Sequence, residues 1–320
     1  MTPNSRASRR ALRVATRGSP LALWQARRVV ALVAAVPGAP RCEPLVVRTT
    51  GDALADVPVA QLGGQGAFVK EVQAAVLDGR ADLAVHSAKD LPSATPLGLV
   101  LACVPERADP RDALVGSPLQ DLKTGATVAT GSVRRRAQLA WLRPDLTFCD
   151  LRGNMATRLE RARQVDAGVL ALAALQRLGL ASHVAEVLDP GTLLPQVGQG
   201  ALAVECREDD HHVLELLRAV DDPALHDDVD AERAFLAAVG GGCTLPLGAL
   251  AVHSGVGAEM VVEGMLASRG GGVMVRRRLS GQSPQKLGRQ LALELLDDCG
   301  GSSLEDWSQR TEGGVGAEGR

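Results

Sequence analysis

The chain has 320 residues, of which 46% are hydrophobic and 22% are charged. This profile is typical of a globular protein, and the length indicates two or three domains. The 35 basic and 37 acidic side chains leave a net charge of -2, so no overall basic field favours nucleic acid as a partner. Aromatic residues make up only 2% of the chain, too few for a surface that stacks the bases of a single strand.

The six cysteines are scattered and form no CxxC pair, which argues against a zinc ribbon and against a disulfide-rich scaffold. We expect reduced thiols and no metal ion. The apolar run 29–36 is too short to cross a bilayer. The run 209–212 of aspartates and histidines is interpreted as a solvated surface, because nothing places a further metal ligand beside it. These features predict a cytoplasmic protein without a membrane partner.

The first part of the chain alternates between strand and helix signals. In chain order the pattern predicts a strand, a helix, a strand, a helix and a strand, over 11–15, 19–36, 45–50, 67–77 and 81–86. Ser19 is suited to cap the first helix and Pro20 to occupy its first position. Such β-α-β units predict a largely parallel or mixed sheet with helices on its faces.

A second β-α-β region and a different third region follow. The second contains predicted strands at 127–130 and 148–151, helices at 133–142 and 156–165, and an apolar run at 169–174. Turn-rich segments at 105–112 and 195–200 are interpreted as hinges, and 201–206 as one more strand. The third region is predicted to be α+β, with helices at 231–238 and 287–296 and strands at 247–253, 261–267 and 272–279.

Three predicted strand-to-helix junctions carry cations. Arg17 precedes the first helix, Arg134 and Arg135 lie in the first turn of the helix at 133–142, and Arg152 precedes the helix at 156–165. Arginine in a first turn opposes the helix dipole unless an anion is bound there. Three such junctions in two neighbouring domains predict an interdomain cleft for a ligand with several negative groups. The glycine-rich loop 63–66 matches no nucleotide-binding motif, so a polycarboxylate fits at least as well.

Two further segments could carry chemistry. Lys89 and Asp90 follow a predicted buried strand, at the end of a sheet where α/β proteins bind ligands and where a carboxylate can hold or move a proton. The preceding His86 is interpreted as a core histidine. Cys243 lies in the glycine-rich segment 240–246, so its thiol is a candidate attachment point; a turn cysteine without a role is the plainer interpretation.

Taken together and in order, these segments resemble the porphobilinogen deaminases, also called hydroxymethylbilane synthases. The motifs that carry the resemblance lie at 15–25, 86–92, 109–113, 131–135, 151–154, 157–159, 197–201 and 241–243, and they span roughly residues 11 to 250. Each motif alone is weak, but the ordered set is specific.

The resemblance implies an activity, a cofactor and a fold. Members of the family join four porphobilinogen molecules head to tail with loss of ammonia, and then release hydroxymethylbilane by hydrolysis, a step of tetrapyrrole and haem biosynthesis. Their dipyrromethane cofactor is bound through a thioether, here to Cys243. The implied fold has two periplasmic-binding-protein-like α/β domains with crossovers and a small α+β C-terminal domain. We expect domain 1 over 11–104 with 197–220, domain 2 over 105–196, domain 3 over 221–300, and disorder at 1–10 and 301–320.

The resemblance also implies roles for individual residues. Asp90 matches the catalytic acid, which assists loss of the amino group and stabilises the azafulvene-like cation. The cofactor-binding positions are Cys243, Ser87, Lys89, Asp90, Thr130, Ser132, Arg134 and Arg135. The substrate-binding positions are Arg17, Ser19, Phe68, Arg152, Gly153, Asn154 and Arg158. The family also suggests a monomer that takes porphobilinogen as its small-molecule substrate, while the net charge and the scarcity of aromatic residues argue against nucleic acid as a partner.

One position departs from the family, and another class of function stays open. The loop 63–66 has Gln65 where the family often has lysine, which puts the function of that loop in doubt. The alternative is a non-enzymatic anion-binding protein on a periplasmic-binding-like fold. Such a protein would use the cationic cleft but would need neither Asp90 nor Cys243.

Overall fold

A computed structural model describes residues 10–53, 68–240, 245–253 and 259–304. Within these residues the strands form two five-stranded sheets and one three-stranded sheet. No helix among them is both long and apolar enough to cross a membrane.

The first sheet combines strands from two distant parts of the chain. Its strands are β1 (Leu12–Arg17), β2 (Cys42–Val47), β3 (Leu83–Ser87), β4 (Leu99–Cys103) and β10 (Leu202–Arg207), in the order β2-β1-β3-β10-β4. The helices that accompany it are α1 (Pro20–Ala34), α2 (Thr50–Ala53), α3 (Lys70–Leu77) and α7 (His211–Arg218). β1 pairs in parallel with β2 and β3, whereas β10 pairs antiparallel with β3 and β4.

The second sheet repeats this arrangement. Its strands are β5 (Asp112–Gly116), β6 (Thr127–Ala129), β7 (Thr147–Cys149), β8 (Ala167–Ala171) and β9 (Val184–Leu188), in the order β7-β6-β8-β5-β9. Its helices are α4 (Val133–Leu142), α5 (Met155–Ala162) and α6 (Leu172–Arg177). β6 pairs in parallel with β7 and β8, and β5 pairs antiparallel with β8 and β9.

The chain crosses twice between these sheets. It leaves the first sheet after β4 and returns to it as β10, so the antiparallel strand of each sheet is the first strand after a crossover. The crossovers touch each other through an isolated antiparallel bridge between Arg107 and Ala201. The predicted architecture of two α/β domains with crossovers is therefore confirmed, while the exact domain boundaries stay predictions.

The third region is a small α+β unit, as predicted. Strands β11 (Leu247–His253), β12 (Met260–Ala267) and β13 (Met274–Gly281) form an antiparallel sheet, which packs with α8 (Pro223–Val239) and α9 (Pro284–Leu293). Phe235 of α8 is wholly buried in the shared core. α8 is longer than predicted because Asp222 caps it and Pro223 opens it.

Several sequence predictions need correction. β4, β5, β9 and α7 were not predicted, and the segment 105–112 taken as a hinge ends in β5. The strand expected at 45–50 lies at Cys42–Val47 and includes Pro44, which is tolerated because β2 is an edge strand. Disorder from residue 301 is wrong for 301–304, since Gly301 and Leu304 are buried. Residues 1–9 and 305–320 lie outside the described residues.

Candidate functional site

Three helices begin at the carboxyl ends of strands, and each has a side-chain cap that was predicted as a ligand. Ser19 Oγ accepts from the backbone N–H of Ala22 at 3.3 Å at the start of α1. Ser132 Oγ accepts from that of Arg135 at 3.4 Å in α4. Asn154 Oδ1 accepts from that of Thr157 at 3.0 Å in α5. These side chains thus shape helix starts, where free N–H groups favour anions.

Two cavities in the part of the chain that the structure describes are lined by predicted site residues. The larger of these two has a volume of about 140 Å³ and lies where the three regions of the molecule meet. Four predicted site residues line it: Lys89, Ser132, Arg134 and Arg152. The apolar part of its wall includes Leu91, Leu236, Leu245 and Leu247. Cations beside an apolar wall suit a ligand that combines an apolar body with carboxylate groups.

The smaller cavity has a volume of about 50 Å³, and its wall includes five other predicted residues: Arg17, Ser19, Phe68, Ser87 and Asp90. Lys89 and Asp90 belong to one short helical turn, Ala88–Asp90, which directly follows β3. This turn therefore presents a cation to one cavity and a carboxylate to the other.

Two contacts hold side chains around the smaller cavity. The Arg17 guanidinium lies 4.3 Å from the centre of the Phe68 ring, a cation–π distance. Gln25 Nε2 donates to Ser87 Oγ at 2.7 Å. Gln25 is buried. The sequence indicated no role for it, because a neutral amide inside a helix carries no local signal of function.

The arginines of the α4 first turn already have an anionic partner within the protein. Asp112, at the start of β5, is wholly buried and accepts from Arg134 Nη2 at 2.7 Å and from Arg135 Nη2 at 2.7 Å. Burial raises the pKa of Asp112, but the two arginines outweigh burial and keep this pKa well below its usual range. The anion expected from the helix dipole argument is therefore, at least in part, a protein carboxylate.

Arg134 and Arg135 differ in what remains available for a ligand. Arg135 donates to Asp112 and, at 3.0 Å, to the Val169 carbonyl oxygen. Arg134 also donates to the Leu194 carbonyl oxygen. Among the described residues, however, Nε of Arg134 and Nε of Arg152 are buried without a hydrogen-bond partner. Since buried donors are normally paired, these two atoms fit a site for acceptor groups of a ligand.

The surroundings are strongly cationic around Lys89 and Arg158. The pKa of Lys89 is lowered to about 8, first by burial and then by Arg135 and Arg158, while Asp90 and Asp112 partly oppose this lowering. Burial lowers the pKa of Arg158 to about 10, with Arg135 among the further causes. An anionic ligand would relieve this repulsion between cations.

The other predicted site residues that the structure describes are not among those lining either cavity. The buried Thr130 accepts through Oγ1 from the Ser132 N–H at 3.3 Å, and Arg158 Nε donates to the Gly153 carbonyl oxygen at 2.8 Å. His86 is buried, with Nε2 3.1 Å from a carboxylate oxygen of Glu205, so its interpretation as a core histidine is confirmed.

Glycine brings two of the helix starts together. A Cβ at Gly131 would lie 2.7 Å from the Leu151 carbonyl oxygen and 3.4 Å from Cζ of Arg152. Such contacts are too short for any larger residue, so the loop after β6 can approach the loop after β7 only with glycine here. This approach places Ser132 and Arg152 on the same cavity wall.

The Cys243 segment lies outside the described residues, as does the loop 63–66 with Gln65. The residues on either side of the Cys243 segment are described. α8 ends at Gly240 in a left-handed conformation, and Leu245, immediately after the gap, lines the larger cavity. Of the described residues, no three or more histidine, cysteine, aspartate or glutamate side chains are grouped so as to hold a metal ion.

Comparison with known families gives matches over most of the chain. Residues 12–215 match the model described as "Porphobilinogen deaminase, dipyromethane cofactor binding domain", and residues 227–297 match "Porphobilinogen deaminase, C-terminal domain". A porphobilinogen deaminase of Roseiflexus castenholzii is 50% identical over 304 residues, which are 92% of this chain and 99% of that relative. One of Nitratidesulfovibrio vulgaris is 44% identical over 304 residues, 92% of this chain and 96% of that relative.

Solved structures are much less similar. The methionine binding protein MetQ covers 68% of this chain and 92% of its own length, at 14% identity and a TM-score of 0.40.

Proposed function

The chain belongs to the porphobilinogen deaminase family, and from this premise we propose how its cleft joins porphobilinogen units. The enzyme is a transferase of tetrapyrrole biosynthesis that condenses four porphobilinogen molecules head to tail and releases hydroxymethylbilane by hydrolysis. The observation that carries the assignment of roles is the turn Ala88–Asp90, which presents Lys89 to one cationic cavity and Asp90 to the other.

The larger cavity fits the dipyrromethane cofactor of the family. The cofactor has two flat pyrrole rings and four carboxylates, which suit an apolar wall beside Lys89, Arg134 and Arg152. The unpaired Nε atoms of Arg134 and Arg152 supply free donors for carboxylate oxygens. When bound, dipyrromethane supplies the primer to which substrate units are added. Cys243 would hold it through a thioether, since its segment joins α8 to Leu245 on the cavity wall.

For the remaining predicted cofactor-binding residues, position in a cavity wall and existing hydrogen bonds decide whether we assign direct contact with the cofactor or an indirect role. Ser87 and Ser132 line the cavities and have hydroxyl groups that can donate to carboxylates. Arg135 is engaged by Asp112 and Val169, so we assign it the role of a nearby positive charge. Thr130 orients the start of α4 through the Ser132 N–H.

The substrate positions are assigned by charge and shape. Each porphobilinogen carries an acetate and a propionate, which Arg17, Arg152 and Arg158 can neutralise. Arg17 is held against Phe68, so its guanidinium is oriented before substrate binds, which lowers the entropy lost on binding. Gly153 and Asn154 shape the start of α5, where N–H groups favour a carboxylate.

Asp90 acts where positive charge develops on the substrate. The aminomethyl group is protonated at neutral pH. When its carbon–nitrogen bond breaks, nitrogen leaves with the electron pair as ammonia, so the remaining methylene carbon and pyrrole ring share the positive charge. A carboxylate in the smaller cavity stabilises that charge and accepts a hydrogen bond from the pyrrole N–H. The proton released from the acceptor pyrrole carbon, when the new carbon–carbon bond forms, can pass to the same carboxylate.

The test is turnover of porphobilinogen by Asp90→Ala and Asp90→Glu, with Asp121→Ala as a matched control at an exposed carboxylate. We expect Asp90→Ala to lose at least about 100-fold in kcat, the loss usual for a group that stabilises transition-state charge. Asp90→Glu should retain more activity than Asp90→Ala, and Asp121→Ala should keep wild-type turnover. Near-normal turnover by Asp90→Ala would refute the assignment.

We further propose that the enzyme works as a cytoplasmic monomer, with porphobilinogen as its small-molecule partner and neither nucleic acid nor membrane bound. Scattered cysteines support a reducing compartment, and the five in the described residues are free thiols. Size-exclusion chromatography with light scattering of the active enzyme tests the monomer, and a dimer mass would contradict it.

A further inference from the structure

Two family motifs to which the sequence analysis assigned no chemical role meet at the crossovers. Gln199 belongs to the motif at 197–201, and its side chain reaches the motif at 109–113. Its Nε2 donates to the Pro110 carbonyl oxygen at 2.7 Å and to Asp112 Oδ1 at 2.8 Å. Its Oε1 accepts from Lys89 Nζ at 3.4 Å. The wholly buried amide therefore joins the second crossover to the first and to the turn that carries Asp90.

The chemistry of the partners fixes the orientation of this amide. An ammonium group can only donate, and a carbonyl oxygen and a carboxylate can only accept. If the amide were flipped, its NH₂ would face the Lys89 ammonium and its oxygen would face the Asp112 carboxylate. Both contacts would be repulsive, so only the observed orientation satisfies all three partners.

The backbone around Gln199 is also fixed in position. Gly198 has a φ of +71°, and a Cβ there would lie 2.9 Å from the backbone nitrogen of Lys89. The Gly198 N–H donates to the buried Glu232 carboxylate at 2.6 Å, and Gln196 Nε2 donates to the Lys89 carbonyl oxygen at 3.2 Å. The crossover thus lies directly against the backbone of Lys89, and Gln199 is aimed from a rigid base.

We propose that Gln199 is a positioning residue, which holds the ammonium group of Lys89 at the cofactor cavity and ties it to the Asp112–arginine cluster. The need for such a residue follows from the charges that face Lys89. Asp90 lies on its own turn and Asp112 on β5, whereas Arg135 of α4 and Arg158 of α5 repel it. A flexible four-carbon side chain in this field needs an acceptor that selects one position.

The proposal rests on the proposed function for the role of the cavity, but its test does not depend on turnover. The chain has only four lysines, Lys70, Lys89, Lys123 and Lys286, so the full-length protein labelled with ¹³C,¹⁵N-lysine gives few Cε signals. Each signal can be assigned by a lysine-to-arginine variant. The pH titration of the Lys89 signal then reports its protonation directly in each variant.

Two variants at position 199 should shift the pKa of Lys89 in opposite directions. Gln199→Leu removes the acceptor, so the ammonium form is less favoured and the pKa of Lys89 should fall by about one unit, the shift expected for loss of one hydrogen bond to a charged group. Gln199→Glu keeps an acceptor and adds negative charge, so the pKa should rise. If Gln199 had only a structural role, the two variants would not shift the pKa of Lys89 in opposite directions.

The matched control is Gln73→Leu, because Gln73 is also a buried amide that donates to a buried carboxylate, that of Glu205, at 2.9 Å. It should leave the Lys89 titration within about 0.3 units of wild type, well under the shift for one lost hydrogen bond. An unchanged Lys89 pKa in folded Gln199→Leu would overturn the proposal. If that variant does not fold, Gln199→Met decides, because methionine keeps the length of the side chain without an amide acceptor: a lower Lys89 pKa supports the proposal, and an unchanged one overturns it.

Steady-state kinetics of the same proteins separate this proposal from the proposed function. We expect Gln199→Leu to lower kcat or raise KM for porphobilinogen along with the shift of the Lys89 pKa. If the wild-type protein converts no porphobilinogen, the proposed function fails, but the opposed shifts of the Lys89 signal still test the positioning role. If the wild type is active and the shifts are absent, the positioning role alone fails.

Discussion

The buried carboxylate of Asp112 should make a large contribution to the free energy of unfolding. It is wholly buried and pairs with Arg134 and Arg135, whose side chains are 3% and 8% exposed. The substitution Asp112→Asn keeps the shape but removes the charge. It leaves two buried guanidinium groups uncompensated and points an NH₂ group at one of them.

The expected magnitude follows from this burial. Removing one partner of a buried ion pair costs about 3–5 kcal/mol, and the facing donors place Asp112→Asn toward the upper end of that range. A more exposed ion pair with the same nitrogen–oxygen distance serves as the comparison. Arg143 Nη2 and Asp145 Oδ2 are also 2.7 Å apart, but both side chains are more than a quarter exposed, so Asp145→Asn should cost much less than Asp112→Asn.

The assay is equilibrium urea unfolding at pH 7, followed by circular dichroism, with the cofactor content of each sample checked by intact mass because a bound group adds stability. Since the pKa of Asp112 in the folded state is lowered, its contribution is present above the unfolded pKa of about 3.9 and is lost only as the pH falls toward the folded value. The difference between Asp112→Asn and wild type should therefore be the same at pH 5 and pH 7. A loss for Asp112→Asn no larger than the loss for Asp145→Asn would refute the reasoning.

Three other predictions concern pH and the loop. Because the pKa of Lys89 is about 8 and its cationic form binds carboxylates, kcat/KM should fall as pH rises through 8; Lys89→Arg should remove that fall, and Lys123→Arg should keep it. Burial raises the pKa of Asp228 to about 6, so its favourable contribution to folding is present below the unfolded pKa and is lost as pH rises through about 6. Asp228→Asn should accordingly raise the unfolding free energy by about 1–3 kcal/mol at pH 7.5 and not at pH 4; an equal gain at both values would contradict this. Gln65→Lys should change turnover less than tenfold, under about 1.4 kcal/mol, and a larger change would mean that the loop has a different role here.

Much of the fold was predictable because local signals agree with the tertiary structure. The helix predicted at 133–142 has the same first and last residues as α4, because Ser132 caps its start and Pro144 follows its end. β11 also matches its prediction at 247–253. The short strands β4, β5 and β9 were missed because polar, turn-like residues lie beside them and only pairing within a sheet defines them.

The candidate site was predictable where charge conflicts with local structure. Arg134 and Arg135 oppose the dipole of their own helix, which indicated a nearby anion. The sequence could not distinguish a ligand from Asp112, because that carboxylate comes from a segment interpreted as a hinge. Gln25 and Gln199 lie in motifs that carry the resemblance, but the sequence indicated no role for either side chain, since the importance of a neutral amide depends on partners that are far away in sequence.

The most direct test of the central proposal is the intact mass of the denatured wild-type protein beside Cys243→Ser. A thioether should survive denaturation, so the wild type should carry the mass of one dipyrromethane and the variant should not. If the wild type is isolated without it, incubation with porphobilinogen should add the mass to the wild type alone. A freshly purified, folded wild type that shows no added mass before or after porphobilinogen would contradict the proposal, as would the same added mass on Cys243→Ser.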